Sequence, residues 1–177
     1  MVALPAPAGD HPVTAALRQA AIVLASGRAS RLHRRLVDDE QLCAWIHADL
    51  GDTLDPGSLA VAAELVPGAE PERVEAALVE EVASLAERPP AGDELERARR
   101  VALADWTFGH EKVHQQALTA GGALCLFGDL GLPARQLAAA VAAGGDELAA
   151  VARRHLDPRQ AVVGWSLPPA GEAEGEG

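Results

Sequence analysis

The run from Gly27 to Leu50, GRASRLHRRLVDDEQLCAWIHADL, confines three kinds of local structure to very few residues. A glycine turn opens it. Leu32 and Leu36 follow on one side of a basic amphipathic helix, while Arg31, Arg34 and Arg35 occupy the rest of its surface. The acids Asp38, Asp39 and Glu40 come next, within pairing distance of those arginines. Cys43–Leu50 then reads as a strand. A turn, a short helix and a strand joined this closely form one compact unit, and the rest of the chain has to be arranged about it.

The flanking segments supply helices before it and a mixture after it. Thr14 is placed to cap an apolar helix running to Leu24, which Ser26-Gly27 ends. Ser30 is placed to cap the arginine helix. The turn Gly51–Gly57 leads to a second strand, Ser58–Val66, antiparallel to the first. Pro67-Gly68 breaks it. Glu70-Pro71-Glu72 starts a helix that continues to Arg88, with proline in its first turn and acids at its positive end. Asp93 opens the longest helical stretch, through Leu95, Ala98, Val101 and Trp106, with Gly109 and Gly121-Gly122 as positions for a bend. Shorter helices follow over Ala134–Ala143 and from Asp146 to His155, and Gln160–Leu167 forms a last strand.

Met1–Pro12 is too rich in proline for a central strand and reads as the end of an edge strand or as a loop, able to supply a fourth strand. Few strands and many helices imply an α+β fold, an antiparallel sheet with helices packed on one face. The ordered domain is expected over 1–167, with a disordered acidic tail over 168–177.

Composition narrows the function. Hydrophobic residues make up 49% of the 177 residues but aromatics only 3%, so alanine, leucine and valine must build the core. A net charge of −11 repels phosphate backbones, so no nucleic-acid partner is expected. Cys43 and Cys125 are too far apart in sequence for a metal-binding pair and read as buried thiols in a reducing compartment. No apolar run is long enough to span a bilayer, and no signal peptide is evident. The expectation is a cytoplasmic protein with no membrane partner.

His110-Glu111-Lys112-Val113-His114 matches H-E-x-x-H, in which two histidines one helical turn apart bind zinc and the glutamate acts as base. No third ligand follows at a recognised spacing, and the competing reading is a histidine pair at the edge of the core. Arg31, Arg34 and Arg35 are candidates for holding an anion or an acidic peptide; the competing reading is a solvated face paired with Asp38, Asp39 and Glu40. No phosphate loop and no G-x-S-x-G elbow occur. Cys43 lacks a local base.

Ser26-Gly27-Arg28-Ala29-Ser30-Arg31-Leu32-His33-Arg34-Arg35-Leu36 resembles the Gly-Gly-x-x-Ser-Arg-Leu-aromatic-x-x-Leu signature of the M16 metallopeptidases, the insulinase, pitrilysin and mitochondrial processing peptidase group. His11-Pro12, Pro67-Gly68 with Pro71-Glu72, Asp93-Glu94-Leu95-Glu96-Arg97-Ala98, Phe127-Gly128-Asp129 and Leu156-Asp157-Pro158 extend the resemblance across roughly residues 10–167. It is to the C-terminal-type domain of that family, with most of the usual first strand left out.

The resemblance implies two such halves closing around a peptide. One half carries zinc on H-x-x-E-H, a motif this chain lacks. The other half offers an arginine and a tyrosine to the substrate, where this chain has Val37 and Ala44; a slip of one residue puts Trp45 at the tyrosine position. Neither valine nor alanine can stabilise an oxyanion. The expectation is a non-catalytic half without its own cofactor. Its partner would be a zinc-bearing M16-like catalytic subunit or a second copy of itself. Together they would work as a zinc metalloendopeptidase, with Arg31, Arg34, Arg35 and Trp45 as candidate peptide contacts. Two alternatives stand beside it: a zinc hydrolase using His110, His114 and Glu111, and a decayed relative without independent activity.

Overall fold

The computed structural model describes residues 1–166. The segment 168–177 lies outside the described residues. Four strands, β1 (Val2–Ala6), β2 (Cys43–Leu50), β3 (Gly57–Leu65) and β4 (Val162–Val163), form one antiparallel sheet in the order β2-β3-β1-β4. Seven α-helices accompany them: α1 (Thr14–Ala25), α2 (Arg31–His33), α3 (Pro71–Glu87), α4 (Asp93–Gly109), α5 (Val113–Phe127), α6 (Leu132–Ala142) and α7 (Gly145–His155).

Period-two alternation shows which face of the sheet the helices cover. Val2, Leu4, Ile46, Leu50, Leu59 and Val61 are buried, whereas Trp45, His47, Asp49, Ser58 and Glu64 are exposed. The buried set meets Leu17, Leu24, Leu36, Leu78, Leu85 and Leu148 in one core. With so few aromatics, that core closes through small side chains. Ten of the twelve residues of α1 are buried, and five of those are alanines. α1 touches α4, α6 and α7 as well as β2, so it is the central helix of the layer.

β1 corrects the expectation of an edge strand or loop: it lies between β3 and β4. Pro5 is tolerated there for a local reason. Strand groups alternate in direction, and the Met1 carbonyl accepts from Gly164 N (3.0 Å) on the β4 side. Pro5 turns the same way, but β4 reaches only Ala3. The missing proline N–H therefore faces no partner strand. The last strand is correspondingly short, two residues where eight were expected, and Leu167 lies outside the described residues.

Both expected hydroxyl caps do other work. Thr14 is already inside α1 and donates to the Ala8 carbonyl (2.9 Å). Ser30 is at the N-cap of α2, but its hydroxyl turns back to the Gly27 carbonyl (2.7 Å). The stretch after α2, Arg34–Asp39, is a π-helix. The long helix expected from Asp93 is two helices, α4 and α5, divided at His110–Lys112.

Candidate functional site

The π-helical turn and α2 bring Arg31, Arg34 and Arg35 together around a cavity of about 260 Å³, with Arg88, Asp39 and Glu81. Arg31 is consumed by the fold. Its Nε and Nη2 donate to the two Glu94 carboxylate oxygens (2.7 and 2.9 Å), and Nη2 also donates to the Arg88 carbonyl (2.9 Å). These bonds hold its pKa above the usual arginine value despite burial. Arg35 donates to Glu40 (2.9 Å) and Glu80 (2.8 Å) and lies 3.7 Å from Glu81. Glu40 also accepts from Arg73 (3.0 Å); its carboxyl is held below the usual range, chiefly by Arg35. Arg34 lines the cavity and has no ion pair among the described residues.

Val37 packs against the core and Ala44 is exposed. Between Cys43 and Trp45 the β2 register shifts, so Cys43 opposes Leu65 and Trp45 opposes Glu64 while Ala44 has no partner. This bulge makes Ala44 and Trp45 consecutive exposed residues. The indole N–H of Trp45 donates to the Glu64 carboxylate across the strand pair. Trp45 stands on the open face of the sheet, away from the arginine cavity. Cys43 is 2% exposed, and burial followed by the Glu40 charge pushes its thiol up to about 11. Such a thiol is no nucleophile. Cys125, expected to be buried, is exposed.

The H-E-x-x-H spacing is not presented by one helix. His110 and Glu111 lie in the turn after α4, Lys112 is extended, and His114 is on the first turn of α5. The His110 ring lies 3.9 Å from that of Trp106 and bonds through Nδ1 to the Trp106 carbonyl (2.7 Å). A carbonyl only accepts, so Nδ1 carries the proton. No group of three or more His, Cys, Asp or Glu able to hold a metal occurs among the described residues.

A larger cavity, about 390 Å³, opens between α1, α4, α5 and α6. Ile22, Ala102, Trp106, Leu118, Leu126 and Leu137 give it apolar walls, with Arg18, Asp52, Asp105 and His110 among its polar lining. Sequence reading missed it. Its signal is the stretch from Val113 to Gly128, which contains no Asp, Glu, Lys or Arg in a chain of net charge −11. α5 nevertheless buries only Ala123.

The Peptidase M16 inactive domain family model matches residues 1–101. No curated protein matches the chain. Among solved structures, a candidate zinc protease from Bordetella pertussis Tohama I is 28% identical with a TM-score of 0.82, over 94% of this chain and 92% of that one. The inactive peptidase domain of a candidate zinc protease from Bordetella parapertussis is also 28% identical, with a TM-score of 0.83 over 94% and 91%. A protease from Helicobacter pylori shares the fold at 19% identity and a TM-score of 0.82; 90% of this chain covers 38% of that longer one. The sheet order, the signature around Ser30-Arg31-Leu32 and these likenesses agree: the chain belongs to the M16 peptidase family, as an inactive domain.

Proposed function

We propose that the chain is a non-catalytic M16 half that pairs with a zinc-bearing half and forms part of the wall enclosing a peptide. The observation that carries this reading is α5. Val113, Ala117, Ala120 and Leu124 follow at helical spacing, and all four are exposed; Val113 is 80% and Leu124 53% exposed. Seven of the eleven exposed large apolar side chains among the described residues fall between Leu103 and Leu130. Concentrated apolar surface of this kind, on the order of several hundred Å², marks an interaction site. Val37 and Ala44 leave this half without the groups that would act on a scissile carbonyl.

In this reading zinc belongs to the partner and none to this chain, and the endopeptidase activity belongs to the pair. Arg34 and Trp45 are the peptide contacts, because Arg31 and Arg35 already hold carboxylates of the fold. The test is affinity purification of the tagged chain from its native cells. A retained chain carrying H-x-x-E-H, with one zinc per pair and peptidase activity absent from either half alone, is expected. Retention of no such chain sinks the reading.

A further inference from the structure

The 390 Å³ cavity between α1, α4, α5 and α6 has a different chemistry from the arginine cluster. α5 has two apolar sides. Val113, Ala117, Ala120 and Leu124 form the outward one, while Leu118, Gly122 and Leu126 turn to the cavity half a helical circumference away. A partner covering the outward stripe therefore leaves the cavity wall free. The cavity holds one cationic side chain, Arg18, already paired with Asp52 and bonded to the Leu50 carbonyl (3.3 Å). Asp105 lies at its edge, exposed and without an ion pair among the described residues. The Trp106 ring, stacked on His110, stands beside that carboxylate.

We infer that this cavity is a binding subsite for a basic amphipathic peptide, one that seats an apolar side chain of leucine size and offers a neighbouring Lys or Arg to Asp105. The inference rests on the peptide-enclosing reading above and names the substrate class for it. The volume suits a side chain with its adjoining backbone. The apolar walls supply the burial, and Trp106 presents an aromatic face to the same cation. Charge decides the sign: the unpaired group at the cavity is a carboxylate, and a chain of net charge −11 attracts a basic peptide and repels an acidic one.

The test is fluorescence anisotropy of the purified full chain with two labelled six-residue probes, one alternating Arg and Leu, the other alternating Glu and Leu. The Arg-Leu peptide is expected to bind and the Glu-Leu peptide to bind at least tenfold more weakly. D105N is expected to weaken the Arg-Leu peptide about three- to fivefold, with salt dependence reduced in parallel. G122L is expected to abolish binding by filling the cavity. A Cβ at Gly122 meets nothing within 4 Å, so the variant folds, as circular dichroism would verify. Equal binding of both probes, no binding of the Arg-Leu probe, or unchanged affinity in G122L overturns the subsite. Pairing with a zinc-bearing half is read separately, by what the tagged chain retains, so either conclusion can fail alone.

Discussion

At the residue scale, Arg31 shows how one side chain can carry a family signature and still be unavailable to a substrate. Its guanidinium joins the start of α2 to Glu94 at the start of α4 and to the Arg88 carbonyl at the end of α3. Its side chain is 14% exposed and that of Glu94 28%. Arg31→Ala strands a half-buried carboxylate and a carbonyl, so a loss of about 1–3 kcal/mol in urea unfolding is expected. Arg31→Lys restores little of it, because an ammonium cannot reproduce the two-pronged contact. Full stability in Arg31→Ala would return Arg31 to the list of free peptide contacts. The sequence carried the signature but not this geometry, since Glu94 is 63 residues away. Ala44 and Trp45 show the same limit: alternation alone assigns them opposite faces, and the bulge exposes both.

At the element scale, most boundaries were legible because local chemistry sets them. β2 spans the expected Cys43–Leu50, and α3 starts at Pro71 for the reason that makes proline suitable there. β1 was misplaced because its environment depends on how far β4 extends, which is a long-range fact. The α4–α5 break is marked only by Gly109, one of several glycines where a bend was open, and this split removes the zinc-type histidine pair. The π-helical turn Arg34–Asp39 is fastened by Arg35 and Arg73 to Glu40. Glu40 has a folded pKa below its ordinary value of 4.5. Its contribution to stability is therefore complete above that value and lost as pH falls through the folded pKa. Urea midpoints followed from pH 6 to pH 3 are expected to fall less steeply in Glu40→Gln than in the natural chain. Identical slopes would detach the turn from this ion pair.

At the scale of the whole molecule, the sheet and α1 form a closed core while α5 remains attached mainly through α6. No single helix among the described residues is long and apolar enough to cross a membrane; α5 and α6 together would pass by composition, but they are bent by 97°. A protein partner for the outward stripe of α5 fits this geometry better than a bilayer. Leu124 is the position to alter, since it is 53% exposed and lies opposite the cavity-facing side chains. Leu124→Glu is expected to change the stability of the isolated chain by less than about 0.5 kcal/mol, because the site meets solvent. In the pair the same carboxylate would be buried without a partner, at a cost of several kcal/mol. Sedimentation of the variant with the retained zinc-bearing half is therefore expected to show at least a hundredfold weaker association, equivalent to about 2.7 kcal/mol. Unchanged association would place the interface elsewhere. A natural chain that self-associates through a Leu124-sensitive contact would make a second copy the occupant, and the stripe would then define a dimer of inactive halves.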